Sequence, residues 1–358
     1  MSTDLNPWKM EARARNRVDV RQPPRRAGSV RRTSSLQSLW TPGNERSFRI
    51  VGRARDLATG IDGAAKILGE DAVRGELGLD GRISALTGDG YGSRLEPFVG
   101  LRCGGELRKA LAVHMPEEER QETRPHRLLD DLAGAFFMSV AAWYAWEGGI
   151  AGHAARTNTM VQTNRPVEGV CLSYVPGSPA MTEDGRGIDD NADHPVGPPP
   201  FSADDIWGFH PLVQTDDPNQ WRLRRTDLWR EAENTVVDAW FQDSSVVQGD
   251  PSRRVIFHEY SLTARFDPLS LELRSISVTP HVLPYVTCHA APATAQLLLG
   301  RKAAELRREV LSLLRGTAGC THLNDMLRAL QDVTGLSGLL ADLDASRDTA
   351  AAGSSIAD

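Results

Sequence analysis

The chain has 358 residues, of which 40% are hydrophobic, enough apolar material for one large core or two ordinary ones. Its net charge of -6 is uneven, because residues 1–32 hold nine Lys or Arg against three acidic residues. This composition excludes a chain that is disordered along its whole length. We expect an acidic folded body with a basic N-terminal arm.

The basic arm, residues 1–32, is where a nucleic-acid or surface-binding function would reside. Its arginines are not interleaved with aromatic residues and form no helical stripe, so we expect no nucleic-acid partner. We predict a flexible arm, or one whose end at Arg31 folds back onto the acidic body, where Arg31 is a candidate for substrate binding.

Cysteine spacing and hydropathy bear on the compartment. No apolar signal segment follows Met1, and the most apolar stretch, residues 132–146, is too short to span a bilayer. We predict a cytoplasmic protein with reduced thiols and no membrane partner. The cysteines are too far apart for a disulfide framework or a zinc ribbon: Cys103, Cys171, Cys288 and Cys320.

The first half, residues 33–165, begins with the period-two alternation of a half-buried strand over residues 47–57. A second short strand surrounds Ile83. The period then lengthens to that of a helix over residues 106–113 and again over residues 128–146.

The second half, residues 166–340, repeats this order of strands and then helices. A Pro/Gly-rich loop at residues 176–200 interrupts it, either as a mobile lid or as a plain insertion, and residues 341–358 are predicted to be a disordered tail. The predicted elements are strands over 170–175 and 235–241, a hairpin of 254–266 with 271–278, and helices over 299–313 and 323–330.

Short matches between the halves suggest an internal duplication. Residues 106–109 resemble residues 305–308, and residues 129–132 resemble residues 323–326. Matches this short also arise by chance, so both explanations stay open. The predicted fold class is α+β, with two similar halves, each a β-hairpin plus helices, packed around a shared crevice.

Residues 283–288 and the string GCTHLND at residues 319–325 resemble an uncharacterised bacterial family known as a domain of unknown function. The resemblance extends over most of residues 30–335. Some relatives accompany the catabolism of aromatic or other small carbon sources, so the resemblance implies a small-molecule enzyme. It supplies no reaction that can be transferred residue by residue.

The start of the last predicted helix carries the strongest group of reactive side chains. If Thr321 caps this helix, Cys320 and His322 lie beside free backbone N–H groups and the positive end of the helix dipole. That position favours a thiolate and a neutral imidazole, which suit a nucleophile or a base. Asp325, one turn further, can orient the imidazole. The alternative is an ordinary capping turn in which Cys320 packs as a small apolar residue.

A second candidate group lies on the predicted strand over residues 254–266. His258 and Tyr260 share its apolar face, while Glu259 points to the opposite face. They form either a proton-transfer pair, with Tyr260 as acid and His258 as base, or a satisfied core pair. The further candidates for substrate binding are Asp131, Trp240, His281 and Tyr285.

The expected reaction follows from these side chains and from absent motifs. The chain has no GxGxxG after a strand, no GxxxxGK[ST], no GxSxG and no HExxH. Residues 288, 289, 320 and 322 are spaced unlike zinc ligands, so we predict no metal and no cofactor. We expect a cofactor-independent acid/base lyase or isomerase acting on a small hydroxylated aromatic compound, in one form an aldehyde-releasing retro-aldol cleavage.

Two alternatives stay open. One is a hydrolase or transferase with Cys320 as nucleophile and His322 as base. The other is a non-catalytic protein that binds a small molecule and regulates a partner. A homodimer is compatible with the sequence, although no pattern in the sequence requires one.

Overall fold

One large antiparallel sheet organises the chain. The computed structural model describes residues 16–17, 22–158, 167–187, 194–202 and 204–354. Within these residues the strands are β1 (Ser29–Thr41), β2 (Asn44–Thr59), β3 (Ala65–Gly78), β4 (Ile83–Gly88), β5 (Val196–Gly197), β6 (Asn219–Glu231), β7 (Asn234–Val247), β8 (Asp250–Phe266) and β9 (Leu273–Val282).

Helices follow each set of long strands. In the described part of the chain the α-helices are α1 (Gly105–His114), α2 (Pro116–Gln121), α3 (Arg124–Met138), α4 (Gly149–Thr157), α5 (Leu306–Leu313), α6 (Thr321–Ala329) and α7 (Asp332–Ser354). Shorter 3-10 segments cover Gly92–Phe98, Ser139–Trp143, Val286–Leu298, Ala303–Glu305 and Gly316–Ala318.

The strand order places β1 and β6 in the middle of the sheet. It runs β4-β3-β2-β1-β6-β7-β8, and both β9 and the short β5 pair with β8. The strands β1–β4 therefore form one side of the sheet and β6–β9 form the other, with β1 and β6 adjacent at the centre. The α+β class is confirmed, whereas an origin of the two sides by duplication stays a prediction.

The central strand β1 is buried along almost its whole length although most of its side chains are polar. On one face Thr33 and Ser35 hydrogen-bond the two ring nitrogens of His210, at 2.8 and 2.7 Å. The Gln37 amide exchanges two 2.8 Å bonds with the backbone of Val213. Because these buried polar groups have partners, β1 needs no apolar alternation to occupy the centre.

The other face of the sheet carries the helices and two apolar clusters. Leu36, Phe48 and Leu132 belong to the cluster that joins β1–β4 to α1 and α3. Phe241 and Leu323 belong to the cluster that joins β6–β9 to α5, α6 and α7. On this face most apolar strand side chains thus pack against helices of the same half, while Val30 and Ala58 of β1 and β2 belong to the second cluster.

A layer of buried ion pairs joins strands to strands, strands to helices and helices to one another. Such pairs contribute little net stability, but removing one partner leaves an uncompensated buried charge, which costs about 3–5 kcal/mol. The layer thus favours one arrangement of sheet and helices. It includes Arg32–Asp56 (2.7 Å), Arg224–Asp131 (2.7 Å), Arg307–Asp130 (2.8 Å) and Arg127–Glu122 (2.7 Å).

Several sequence-based boundaries need correction. β1 begins at Ser29, inside the predicted arm, so Arg31 belongs to the central strand. Residues 170–175 form turns and no strand. The helix predicted over residues 128–146 begins at Arg124 and ends at Met138, where a 3-10 segment replaces it, and α7 continues through the predicted disordered tail to Ser354.

Two predictions fall partly outside the described residues. They are the flexible arm, of which residues 1–15 and 18–21 are not described, and the lid at 176–200, of which residues 188–193 are not described. Both stay predictions. In the described residues, no helix combines the length and the apolar character needed to cross a bilayer.

Candidate functional site

Two imidazoles from distant parts of the chain meet at the edge of the ion-pair layer. The ring centroids of His258 on β8 and His322 on α6 lie 3.4 Å apart, with the planes tilted by 14°. Asp243 lies directly across from His258 on β7. One possible ligand atom from each of the three residues lies within 4.8 Å of the others. We call these three residues the imidazole centre.

The alternation of β8 aims His258 at the helices. His258 pairs with Asp243 and Tyr260 pairs with Phe241, so all four side chains lie on the face that carries the second apolar cluster. The intervening Glu259 points the other way and accepts a 2.8 Å bond from the Trp240 indole. The strand therefore presents His258 to the site as its alternation predicts.

Helix α6 supplies the second imidazole from its first turn. The helix begins at Thr321, with Cys320 at the N-cap position and no side-chain cap bond, so the prediction of a Thr321 cap is wrong. Leu323 and Leu327 are fully buried in the second apolar cluster. This burial fixes the rotation of the helix and turns His322 toward β8.

Arg222 on β6 holds the carboxylates around the centre. It binds Asp243 through two bonds, Nε to Oδ1 at 3.0 Å and Nη2 to Oδ2 at 2.9 Å, and it donates from Nη1 to Asp325 at 2.8 Å. Gln220 adds a 3.1 Å bond to Asp243. Helix α3 approaches closely at Gly134, where a Cβ would overlap the guanidinium of Arg222. Such a charge-assisted fork leaves little freedom to the groups beneath the imidazoles.

Burial keeps both imidazoles neutral. It lowers the pKa of His322 from 6.5 to about 3, an effect that Arg222 reinforces and Asp325 opposes. Burial also lowers the pKa of His258 well below 6.5, reinforced by His322 and opposed by Asp243. Each ring is therefore unprotonated at neutral pH, and burial makes it a weaker base than a free imidazole.

The centre reaches the surface and carries an unpartnered polar atom. His258 and His322 are each 8% exposed, so a small part of each residue is accessible to solvent. Among the described residues, the buried Nδ1 atom of His258 has no hydrogen-bond partner. The ring of Phe137, which is 52% exposed, lies 6.1 Å from that of His322. A bound molecule would supply the hydrogen-bond partner that this buried nitrogen lacks and would pack against the exposed aromatic ring.

Cys320 and Tyr260 lie behind the centre and are sealed in the second apolar cluster. The Tyr260 hydroxyl is 3.5 Å from the Cys320 Sγ atom. Burial raises the pKa of both groups, most strongly that of Tyr260, so the prediction of a Cys320 thiolate is wrong. Asp325 does not orient the imidazole by a hydrogen bond, because its oxygens accept from Arg222 and Arg328.

The predicted substrate-binding residues are scattered. Asp131 is near the centre but is bound by Arg224 at 2.7 and 2.9 Å. Tyr285 packs at the border of the second apolar cluster, with its hydroxyl 3.3 Å from that of Tyr174. Neither presents an open polar group to the imidazole pair.

The other three candidates lie on the opposite face of the sheet. Arg31 binds Asp227 there, and Trp240 binds Glu259. His281 binds Ser261, whose side chain points to the face opposite that of its neighbour Tyr260. The sheet itself separates these side chains from the centre. Their assignment to the site is therefore wrong.

Asp243 and Arg222 are the functional candidates that sequence reasoning missed. Asp243 follows Phe241 by two residues and therefore shares its apolar face, which is a signal for a buried carboxylate. Arg222 gives no comparable signal, because the alternation of arginines with leucine and tryptophan in β6 is that of a half-buried strand and would place Arg222 on an exposed face.

Comparison with known proteins supports the expected family in part. Residues 221–335 match the family model described as "Protein of unknown function (DUF2889)". The match contains Asp243, His258 and His322, so the whole imidazole centre lies inside the similar region. No curated protein and no solved structure matches the chain. Whether the string at residues 319–325 marks the family stays a prediction.

Proposed function

We propose that this protein is an enzyme that transfers protons on a small hydroxylated molecule, as a lyase or an isomerase, at the imidazole centre. The observation that carries the proposal is the contact of two neutral imidazoles, 3.4 Å apart, above carboxylates that arginine already holds. A neutral imidazole has a free lone pair for a substrate proton, and a nearby carboxylate stabilises the imidazolium that forms.

His258 is the proposed base because its Nδ1 atom lacks a partner and Asp243 favours its protonated form. In an aldehyde-releasing lyase reaction, His258 removes the proton of a substrate hydroxyl. The adjacent carbon–carbon bond then breaks, the aldehyde leaves, and the electron pair on the bonding carbon of the second fragment is stabilised as an enolate by the carbonyl group next to it. The imidazolium of His258 returns its proton to that carbon, so no cofactor is needed.

The exposed ring of Phe137 favours a substrate with an aromatic part. It lies beside His322 at the outer side of the centre, where an aromatic substrate can stack against it. His322 then holds the substrate hydroxyl through a ring nitrogen while His258 moves the proton.

Proton exchange in deuterium oxide tests this proposal. Aryl compounds that carry a hydroxyl group β to a carbonyl, some of them also as a vicinal diol, are incubated with the protein. NMR records carbon-bound deuterium and free aldehyde. His258→Ala and His322→Ala should each lower the rate by about 10²–10⁴-fold. His114→Ala is the control, because His114 is exposed and far from the centre in the fold. Unchanged rates in both centre variants would overturn the proposal.

The same assay separates the alternatives. Cys320→Ala should retain activity, and its loss would instead favour a thiol-dependent hydrolase or transferase. Thermal stabilisation by a compound without exchange or cleavage would favour a non-catalytic binding protein.

A metal-dependent enzyme is the second candidate, because Asp243, His258 and His322 bring possible ligand atoms together within 4.8 Å. Two imidazoles and one carboxylate are the donors of several catalytic zinc and non-haem iron sites. Against this candidate, both Asp243 oxygens already accept bonds from Arg222. Metal analysis decides: one equivalent that His258→Gln and His322→Gln both lose supports the metal, and an active metal-free protein supports the imidazoles alone.

We also propose that the two sides of the sheet arose by duplication. Besides the strand order, corresponding ion pairs support it. Arg32 on β1 lies across from Asp56 on β2, and Arg222 on β6 lies across from Asp243 on β7. Superposition of the two sides should bring these pairs onto each other, and a superposition that aligns different residues would contradict the duplication.

A further inference from the structure

A cavity of about 600 Å³ lies on the sheet face opposite the imidazole centre. Its floor is made by β2 and β3, and side chains from residues 206–211 border it. On β2 the side chains of Arg53 and Arg55 alternate with Ala54, which packs toward the helices. The two arginines therefore face the cavity together, with the sheet between them and His258.

Arg55 is buried beneath this cavity without an anionic partner. Arg55 is only 3% exposed, and its Nη2 atom donates to the Trp207 carbonyl at 2.7 Å. Its Nε atom is buried and has no partner among the described residues. Among the described residues, no carboxylate oxygen lies within 4.0 Å of the Arg55 guanidinium. Glu70, across from Arg55 in the strand register, and Asp205 favour its charged form only from beyond that distance, so a bound anion would supply the contact charge that this buried guanidinium lacks.

The acidic side chains that line the cavity are mostly engaged elsewhere. Asp71 accepts from Arg124 at 2.7 Å and from the Tyr91 hydroxyl at 2.9 Å. Asp89 pairs with Arg74, and both are exposed. Glu70 is the third carboxylate, and it is exposed as well. The interior is therefore positive around Arg53 and Arg55, while the acidic groups lie toward solvent or toward other partners.

Apolar side chains border the same cavity. Ile206 is 78% exposed, Ile67 is 43% exposed and Trp207 is 37% exposed, which is unusual for three large hydrophobic side chains beside one another. Behind them the neutral His210 is fixed by Thr33 and Ser35. The lining thus combines a cationic floor with an apolar wall that carries an indole.

We propose that this cavity is a binding site for a small aromatic carboxylate. The carboxylate lies against the guanidinium groups of Arg53 and Arg55, and the ring packs against Trp207 and Ile206. Arginine suits a carboxylate because its donors match the two oxygens in one plane. The site is separate from the imidazole centre and does not depend on the proposed function.

Calorimetric titration with benzoate tests the site, with benzamide as the uncharged match and inorganic phosphate as an anion without a ring. Benzoate should bind the wild-type protein with a dissociation constant below about 1 mM, and benzamide and phosphate should each bind at least about tenfold more weakly. Arg53→Gln should weaken benzoate binding at least about tenfold, and Arg55→Gln should do the same if it folds. Arg49→Gln is the control, since Arg49 lies on the same face of β2 but is exposed and outside the lining.

Several results would overturn the site. They are the absence of benzoate binding up to about 10 mM, equal affinity for benzamide, tighter binding of phosphate than of benzoate, or equal effects of Arg49→Gln and Arg53→Gln. His258→Gln should bind benzoate as the wild type does. Loss of binding in that variant would place benzoate at the imidazole centre and end this proposal while leaving the proposed function standing.

Discussion

Acidification tests whether the imidazole centre is neutral, through His322→Gln, which removes one ionisable ring. Burial lowers the pKa of His322 from 6.5 to about 3 in the folded protein, so below pH 6.5 the unfolded chain binds a proton that the folded chain refuses. Because the folded-state pKa is the lower one, the stability contributed by the neutral ring is complete above the unfolded pKa. It decreases as the pH falls toward the folded pKa.

The size of this effect follows from the two pKa values. Between about pH 7.5 and about pH 5, a ring with a pKa of 6.5 when unfolded and about 3 when folded lowers the free energy of unfolding by about 2 kcal/mol. The figure hardly changes for any folded-state pKa below about 4, because proton uptake by the unfolded chain alone then sets it. It therefore tests neutral burial itself.

Urea unfolding at both pH values, followed by tryptophan fluorescence, measures the effect. His322→Gln should lose about 2 kcal/mol less stability on acidification than the wild type. The exposed His114 provides the control, and His114→Gln should lose as much as the wild type. Equal losses in the wild type and in His322→Gln would refute neutral burial, and the assignment of a base at the centre would fall with it.

Other variants test the packing around the centre. Arg222→Met should lower the free energy of unfolding by about 3–5 kcal/mol, since it leaves the buried Asp243 without its cation and removes one of the cations that bind Asp325. Arg82→Met, which breaks an exposed pair, should lower it by no more than about 1 kcal/mol in the same urea titration. Gly134→Ala should lower the melting temperature because its Cβ would overlap Arg222. Gly338→Ala is the matched control: its Cβ meets open space in a helix, so this variant should raise the free energy of unfolding by about 0.5–1 kcal/mol. A Gly134→Ala variant more stable than Gly338→Ala would contradict the close approach of α3. Tyr260→Phe should keep the turnover of the wild type in the exchange assay, because the hydroxyl contacts a buried thiol, and a hundredfold loss would restore Tyr260 as the acid.

Sequence periodicity predicts the strands that bury one apolar face and misses those that bury polar groups on both faces. On β8 the residues Tyr260, Leu262 and Ala264 alternate with partly exposed positions, so the strand and its inward face follow from the sequence. β1 is buried on both sides, against ion pairs on one and against His210 on the other. Its side chains therefore show no period of two, and the strand at the centre of the sheet escapes prediction.

The imidazole centre is predictable in its parts and not in its assembly. The position of His258 follows from alternation, and the position of His322 at a helix start follows from the residues around it. Their contact depends on where α6 packs, which the buried Leu323 and Leu327 determine only once β7 and β8 are in place. Asp243 adds a contact from a third element, fixed by strand register that no local pattern specifies.

The arrangement of charge around the centre decides which groups can move a proton. Asp243 and Asp325 each accept hydrogen bonds from Arg222, so their oxygens are already occupied by that guanidinium. The thiol and the phenol behind them are held protonated by burial. His258 and His322 are the remaining ionisable groups of the centre, and they stay neutral because burial outweighs the attraction of those paired carboxylates. A substrate that brings its own negative charge would shift that balance and raise the pKa of His258, so that base strength increases as the substrate binds.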